Sequence, residues 1–250
     1  MEQARDWLSP KQPGMRADPV LGTMNFGTRT PEPAAVQIMT RAIERGVVWF
    51  DTANAYGASE EIIGVLEEAR KAGQIGAWGV SNFASWRIQE INHVCGELPR
   101  PRVSQVLYNL LIRQVEHEYF DFANHTGIHT TVYNPLAGGL LAGKGAAKVE
   151  PGGRFDGNTR YQKRYLTDRM RELSDAYAAL ATDAGIDRVL LAYSWLANQP
   201  GVDSVLLGPA TVEHLDVGIA GCQRPIDAEL QKKIDEIYAA FVGTDASYAR

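Results

Sequence analysis

The sequence predicts a single α/β domain whose sheet has about six parallel strands. Short apolar runs typical of buried strands alternate with segments of helical periodicity along most of the chain. Repeated alternation of this kind favours a parallel sheet with helices outside it. The chain has 250 residues, of which 45% are hydrophobic and 22% are charged. That length and composition suit one globular domain with a sizeable core.

The predicted domain covers residues 20–250, and the polar, proline-containing residues 1–19 are predicted to form an N-terminal arm. A closed (β/α)8 barrel, or TIM barrel, has two more strands than we find here. We therefore expect a TIM-barrel lineage with a shortened or partly open barrel. The predicted strands are 20–24, 47–50, 75–80, 103–107, 128–133 and 202–207. The predicted helices are 31–45, 59–71, 84–95, 115–125, 166–184, 187–198, 211–220 and 226–241.

Charge and composition argue against several classes of protein. The formal net charge is −5, whereas binding to nucleic acid or to a membrane surface favours a basic face. No apolar run approaches the length of a membrane span, and the first residues lack the apolar region of a signal peptide. Neither Cys95 and Cys222 nor the five histidines have the spacing of a metal site. We expect a cytoplasmic protein with no bound metal, nucleic acid or membrane partner.

Three motifs follow predicted strands. Phe-Asp-Thr-Ala-Asn-Ala-Tyr occupies 50–56, Gly-Val-Ser-Asn-Phe occupies 79–83, and Tyr-Asn-Pro-Leu-Ala-Gly-Gly-Leu-Leu-Ala-Gly-Lys occupies 133–144. As a set they resemble the aldo-keto reductases, most of all the branch of aflatoxin-aldehyde and succinic-semialdehyde reductases. One helix-length segment, 57–75, joins the first two motifs. In the family about two βα units separate them, so the resemblance implies that an internal block is missing.

The resemblance implies reduction of a carbonyl group by hydride transfer from a nicotinamide cofactor. It makes Tyr56 the proton donor to the carbonyl oxygen and places Asp51 beside it, since an acid near the developing alkoxide assists such a reaction. The family also uses a lysine held by the aspartate, and a histidine, and neither has a matching position here. Without the resemblance, Asp51 would be read as a turn cap and Tyr56 as a half-buried rim residue.

The resemblance also predicts an NADPH (NADP+) site at the ends of the later strands. Ser81, Asn82 and Gln105 match the residues that hydrogen-bond the nicotinamide carboxamide, and Tyr133 matches the aromatic residue on which the ring stacks. Glycines allow close backbone approach to a pyrophosphate, and a helix N-terminus offers N–H groups to a phosphate. The other residues assigned to the cofactor are Asn134, Pro135, Leu136, Gly138, Gly139, Leu140, Gly143, Arg154, Thr211, His214 and Leu215.

Plainer interpretations of these residues are a buried amide at 105, a core aromatic at 133 and an ordinary loop at 134–144. The resemblance also shows departures, because His214 and Gly218 stand where relatives usually carry a glutamine and an asparagine that touch the adenosine half. Those departures are expected to weaken the grip on the cofactor or to alter the choice between NADPH and NADH.

Tyr161, Arg164 and Arg250 match substrate-pocket positions of the same branch. A guanidinium group pairs bidentately with a carboxylate, so arginines near the carbonyl favour small-molecule aldehydes or ketones that carry a carboxylate. The alternative is that Arg164 belongs to a solvated helical face. That face would also contain Arg160, Lys163, Arg169 and Arg171.

Three functions therefore stay open on the sequence. The first is an NADPH-dependent reductase of aldehydes or ketones, which lacks the lysine and histidine of its family. The second is a non-catalytic protein that binds a nicotinamide nucleotide. The third is an inactive deletion product. An open barrel would also expose unpaired strand edges, which favour homodimerisation.

Overall fold

A computed structural model of the chain describes residues 9–12, 14–22, 30–47, 49–51, 77–96, 99–144, 149, 151 and 153–244. The predicted helix 59–71 lies outside these residues. Residues 1–8 of the predicted arm and the end of the first predicted strand also lie outside them.

The described residues form one sheet of six strands, in which every hydrogen-bonded pair is parallel. This confirms the predicted α/β class. The order of the strands across the sheet is β2-β1-β6-β5-β4-β3. The strands are β1 (Asp18–Gly22), β2 (Phe50–Asp51), β3 (Gly79–Ser81), β4 (Val103–Leu107), β5 (His129–Tyr133) and β6 (Ser204–Leu207).

The sheet is curled, so that its first edge comes close to its opposite side. β2 and β3 are the two edges, and the described residues contain no backbone pairing between them. Nevertheless Asp51 of β2 accepts a hydrogen bond from Gln105 of β4, the strand next to β3, at 3.0 Å. A side-chain contact over that separation requires a barrel-like curl. The shortened or partly open barrel expected from the strand count is therefore confirmed.

Helices follow the strands as expected and cover the outside of the sheet. Side-chain caps begin several of them, since Thr167, Asp187, Thr211 and Asp227 each accept a backbone N–H of the first turn. In the described residues the α-helices are α1 (Glu32–Glu44), α2 (Ser85–Cys95), α3 (Tyr119–Thr126), α4 (Thr159–Tyr165), α5 (Asp168–Asp183), α6 (Arg188–Asn198), α7 (Val212–Gln223) and α8 (Ala228–Val242).

Several local predictions differ from the structure. Within the described residues, the predicted strand 75–80 is strand only from Gly79, and the predicted strand 202–207 begins at Ser204. The predicted helix 115–125 is a 3₁₀ turn, Gln114–His117, followed by α3, because Glu118 between them has φ −155°. Helix α4 was not predicted. The second strand begins at Phe50 rather than at 47, because the Val47 N–H still bonds to Ala42 O at the end of α1, at 2.9 Å.

The two faces of the sheet differ in polarity. Val106, Val132 and Val205 are buried in the main hydrophobic core together with residues of the helices. Alternate residues of a strand point to opposite faces, so Thr131 and Ser204 point into the barrel. There their hydroxyl oxygens lie 2.8 Å apart, and the Nε2 atom of the buried His129 lies 3.0 Å from the Ser204 Oγ atom. Polar side chains thus lie at this level of the barrel interior, while the same alternation turns Val103, Leu107 and Leu206 inward. The main apolar core lies between the sheet and the helices.

Close packing of α6 against α7 yields a testable difference between two glycines of one helix. A Cβ atom on Gly221 would lie 2.5 Å from the Cβ atom of Tyr193, whereas one on Gly218 would lie 3.2 Å from the end of the Leu207 side chain. Gly221→Ala is therefore expected to lower the free energy of unfolding by about 2 kcal/mol through overpacking.

Gly218→Ala serves as the matched control. A leucine terminus can shift, and alanine gains about 1 kcal/mol of helix propensity, so this variant is expected to stay within about 1 kcal/mol of the parent protein. Urea unfolding followed by circular dichroism measures both. Equal losses in the two variants would contradict the packing argument.

No helix in the described part of the chain is both long and apolar enough to cross a membrane. Within the same residues, no group of three or more histidine, cysteine, aspartate or glutamate side chains is arranged to hold a metal ion.

Candidate functional site

The candidate site lies at the carboxyl ends of β3, β4 and β5. Parallel pairing places Ser81 opposite Gln105, and Leu107 opposite Tyr133, at the same end of the sheet. Sites of barrel proteins form at this end because the connecting loops there carry the variable side chains. Ser81 and the following Asn82 are exposed, and Tyr133 is half-buried. We call this end of the barrel the mouth.

Asn82 organises the side chains at the mouth. Its backbone is left-handed, with φ 58°, a conformation that asparagine tolerates better than most residues. Its N–H donates to Gln105 O at 2.9 Å. Its side-chain amide donates to Ser81 Oγ at 3.1 Å and accepts a hydrogen bond from the Tyr133 hydroxyl at 3.0 Å. Asn82 thus joins Ser81 and Gln105, the other two residues predicted to hydrogen-bond the nicotinamide carboxamide, to Tyr133, on which the nicotinamide ring is predicted to stack.

Asp51 reaches the same group through Gln105. The Gln105 Nε2 atom donates to Asp51 Oδ1 at 3.0 Å, and both residues are half-buried. The structure therefore brings the predicted catalytic carboxylate together with the predicted cofactor residues. Tyr56, the other residue predicted for catalysis, and Arg250, one of the three predicted for substrate binding, lie outside the described residues.

Two tyrosines near the mouth are held as neutral phenols. Burial raises the pKa of Tyr133 above its usual value, while the nearby charge of Arg164 acts in the opposite direction. Burial raises the pKa of Tyr165 to about 12. Both hydroxyl groups are therefore protonated at neutral pH and can donate hydrogen bonds.

A glycine-rich turn, residues 134–143, follows Tyr133. Asn134 starts it and accepts the Gly138 N–H at 2.8 Å through its own side-chain oxygen. A Cβ atom on Gly138 would lie 3.0 Å from the Tyr161 ring and 3.1 Å from the Phe155 ring, so the turn needs glycine there. Five residues of the turn have left-handed backbone: Asn134 (φ 63°), Ala137 (51°), Gly138 (70°), Gly139 (107°) and Gly143 (82°).

Side chains of the turn mostly face inward. Pro135 and Leu140 are buried, and Leu136 is half-buried. Leu215, predicted at the adenosine end, is also fully buried. At these positions only the backbone can face a bound nucleotide.

Two anchors of the turn were missed in the sequence. Arg188, the first residue of α6, donates through Nε to Leu141 O at 2.6 Å and through Nη2 to Leu140 O at 3.2 Å. The buried Asn109 donates to Asn134 O at 3.0 Å. Neither residue lies in a recognisable motif, because each acts on a segment distant in the chain.

Basic side chains surround the outer part of the turn. Lys144 lies beside Gly139, since a Cβ atom on that glycine would be 3.3 Å from the lysine Cβ. Burial and the charge of Lys144 lower the pKa of His214. The Arg154 Nη2 atom lies 4.0 Å from the position of a Cβ on Gly208. Lys144 is a residue of the site that the sequence analysis left unassigned, although it ends the third motif.

The N-terminus of α7 points to the same region. Thr211 caps it by accepting the His214 N–H at 3.2 Å. Gly218, in contrast, is buried, and a Cβ there would lie 3.2 Å from Leu207 and 3.5 Å from Tyr193. Position 218 therefore faces the core. The glycine that stands there in place of the relatives' asparagine does not alter the exposed surface of the site.

Helix α4 places Tyr161 and Arg164 above the mouth. The Arg164 guanidinium carbon lies 5.9 Å from the ring centres of both Tyr161 and Tyr165. Arg164 is half-buried, whereas Arg160 and Lys163 of the same helix are exposed. Arg164 is therefore not part of a solvated face, and its charge is close enough to Tyr133 to act on the pKa of that residue.

Fold and geometry together define a β/α-barrel protein with its site at the carboxyl ends of the strands. A carboxylate, a carboxamide cluster, a glycine turn and a basic rim lie at that end. The chain belongs to the aldo/keto reductase family, whose model matches residues 20–65 and 59–239. The resemblance read in the sequence is confirmed.

Individual relatives agree with this assignment. The chain is 38% identical over 115 residues to human aldo-keto reductase family 7 member A3, a match that covers 42% of the chain and 35% of that protein. It is 28% identical over 232 residues to human aflatoxin B1 aldehyde reductase member 2, with 63% and 65% covered. The chain thus spans less than two thirds of the length of either relative.

The gap in the chain is visible in the same comparisons. The two segments matched by the family model meet at 59–65, between the first two motifs. An alignment with the uncharacterized oxidoreductase YrpG of Bacillus subtilis (strain 168) is 26% identical over 318 positions, and covers 92% of the chain and 94% of that protein. Because the chain has 250 residues, that alignment includes long gaps opposite it.

Proposed function

We propose that the protein reduces aldehydes or ketones to alcohols by hydride transfer from NADPH. The observation that carries the proposal is the hydrogen-bonded group at the mouth, in which Asp51, Gln105, Asn82 and Tyr133 are joined by contacts of 3.0 Å or less. It combines a carboxylate with the amide and hydroxyl groups suited to a nicotinamide carboxamide.

The residues present fit the cofactor at both of its ends. Exposed Ser81 and Asn82 provide donors and acceptors for a carboxamide, and the half-buried Tyr133 provides a ring face. At the other end, the N-terminus of α7 suits a phosphate. In the glycine turn the N–H groups of Gly138, Gly139 and Gly143 already donate within the turn, so its part is to let the chain approach the cofactor closely. Lys144 and Arg154 add positive charge there, which favours NADPH over NADH. When bound, the cofactor supplies the hydride.

The protein's own part in the reaction is to orient the carbonyl group and to supply a proton to its oxygen. Tyr56 is the proposed donor, and Asp51 is the carboxylate at the end of β2. Asp51 is half-buried and is held by the Gln105 amide. Negative charge develops on the carbonyl oxygen as the hydride arrives, so its proton is assigned to Tyr56 and not to the Asp51 carboxylate.

The proposed substrates are small carbonyl compounds that carry a carboxylate. Arg164 lies above the mouth against two aromatic rings, where solvent screens its charge less than on an exposed helix face. A guanidinium group in this position can hold a carboxylate while the carbonyl group faces Asp51.

A second candidate is a protein that binds the nucleotide without turning over a carbonyl. The sequence favours it, because the family's lysine and histidine have no counterparts between the first two motifs. The two candidates share the cofactor site and differ only in the chemical step, so one pair of measurements separates them.

The decisive experiment is a fluorescence titration with NADPH, followed by absorbance at 340 nm with succinic semialdehyde or 2-carboxybenzaldehyde. Trp86 is 59% exposed and follows the Asn82 turn closely, so it is a suitable reporter. Saturable quenching with turnover would support the reductase. Quenching without turnover would favour the nucleotide-binding protein, and no quenching would reject both and favour an inactive deletion product.

Asn82→Asp tests the carboxamide site directly. Aspartate tolerates the left-handed backbone and still accepts the Tyr133 hydroxyl, but it lacks the amide donor. We expect the Kd for NADPH to rise about tenfold, the loss of one hydrogen bond, with an unchanged melting temperature. An exposed asparagine on a distant helix, Asn124, gives the control Asn124→Asp, which should leave NADPH affinity unchanged. Equal affinities of the parent protein and Asn82→Asp would contradict the assignment.

A further inference from the structure

Gln105 connects two parts of the mouth that the sheet itself does not pair. Through its backbone it accepts the Asn82 N–H at 2.9 Å, which fixes the turn after β3. Through its side chain it donates to Asp51 Oδ1 at 3.0 Å, which fixes the end of β2. In the strand order β2 and β4 are separated by β1, β6 and β5. The side-chain hydrogen bond therefore joins, across the barrel, two strands that are not neighbours in the sheet.

The contact has the usual length of an N–H···O hydrogen bond, 3.0 Å, and a carboxylate as its acceptor. Both side chains are half-buried, so water competes less for the carboxylate than it does at the surface. A hydrogen bond to an ionised acceptor is about twice as strong as one between neutral groups. The Gln105 backbone is held on both sides, because Ser81 of β3 and Thr131 of β5 are its register partners. Gln105 is thus a rigid donor aimed at Asp51.

We propose that Gln105 is the positioning residue of Asp51, and that their hydrogen bond is a clasp that holds β2 against the mouth of the barrel. The proposal deepens the reductase function and rests on it. A carboxamide has two N–H donors and one carbonyl acceptor. Gln105 can therefore hold Asp51 and also hydrogen-bond the carboxamide of nicotinamide, so a single side chain aligns the carboxylate with the cofactor.

An exchange of the two side-chain types tests the clasp. Gln105→Glu places two carboxylates in contact, and like charges at this distance disfavour each other. We expect its melting temperature to fall by about 5 °C, given the usual sensitivity of domains of this size. Combining it with Asp51→Asn restores an amide and a carboxylate in exchanged positions. The double variant is expected to recover at least half of the loss.

The matched control is Gln114→Glu, which adds the same charge at an exposed position and should change the melting temperature by less than about 1 °C. A double variant as unstable as Gln105→Glu would overturn the clasp, as would a Gln105→Glu variant as stable as the control. Should Gln105→Glu fail to fold, Gln105→Met and Asp51→Ala complete a second cycle. Gln105→Met and Asp51→Ala remove the same hydrogen bond, so the double variant is expected to lose less stability than the sum of the two single losses. Additive losses would overturn the proposal.

The positioning role has its own readout, the affinity for NADPH. Gln105→Glu is expected to weaken NADPH binding about tenfold, and the double variant should return to within about threefold of the parent. The positioning role would be overturned if the melting temperatures fell and recovered as expected while the affinity for NADPH stayed the same in every variant. If the parent protein binds no NADPH, the proposed function fails, while the melting temperatures still decide whether the clasp exists.

Discussion

Arg113→Met is expected to lower the free energy of unfolding by about 2–3 kcal/mol, because a buried cation is lost while the two carboxylates it pairs with, 29% and 45% exposed, stay partly hydrated. The Arg113 side chain is only 8% exposed. Its Nε atom lies 2.7 Å from Glu116 Oε1, and its Nη2 atom lies 2.8 Å from Asp235 Oδ1. The guanidinium carbon also lies 4.9 Å from the Trp195 ring centre. Methionine would leave two carboxylates close together without the cation between them.

Chemical denaturation measures this loss, and an exposed ion pair gives the control. Lys232 and Glu236 of α8 are 3.7 Å apart, and their side chains are 75% and 63% exposed. Lys232→Met should change stability by less than about 0.5 kcal/mol. Because Asp235 is on α8, Arg113→Met is also expected to loosen that helix, which hydrogen exchange would detect. A loss no larger than that of the control would contradict the argument.

Arg164→Met is expected to lower kcat/KM for 2-carboxybenzaldehyde about 10- to 100-fold, since a charge-assisted hydrogen bond contributes about 1.5–3 kcal/mol. The same variant should reduce benzaldehyde, which has no carboxylate, as the parent protein does. Methionine keeps the packing against Tyr161 and Tyr165 but removes the charge. The reason to expect a selective effect is the position of Arg164 over these rings and next to Tyr133.

Arg160→Met is the control for the substrate prediction, because Arg160 is an exposed arginine of the same helix. It should leave both rates unchanged. Equal losses of both substrates in Arg164→Met would assign that residue to the general structure of the mouth. A loss in Arg160→Met that matches that of Arg164→Met would restore the interpretation of a diffuse basic face.

Segments with clear periodicity were predicted well from the sequence. The strand 103–107 was predicted with the bounds that the structure gives, because Ser104 and Val106 alternate with more exposed neighbours. The helix predicted at 187–198 differs from α6 by one residue, since Asp187 is its N-cap. The motifs also identified the residues that meet at the mouth, because family motifs preserve the ends of strands even when a block between them is missing.

Other features required the three-dimensional structure. Helix α4 has the sequence Thr-Arg-Tyr-Gln-Lys-Arg-Tyr, which has no apolar stripe and follows a glycine-rich segment. The break at Glu118 depends on one backbone angle within an otherwise helical pattern. The bond between Asp51 and Gln105 joins residues 54 positions apart, and only the curl of the shortened sheet brings them together. No local pattern encodes a contact of that kind.

The side chain of Asn134 links the glycine turn to helix α4, which carries Arg164. Its oxygen holds the Gly138 N–H, and its amide donates to the Tyr165 hydroxyl of α4 at 2.6 Å. A nucleotide that displaced the glycine turn would therefore shift the helix that carries Arg164. By thermodynamic reciprocity, a carboxylate bound at Arg164 would then change the affinity for the nucleotide by the same factor by which the nucleotide changes the affinity for the carboxylate. Under the proposed function, the nucleotide and the carboxylate substrate are therefore expected to be coupled through Asn134.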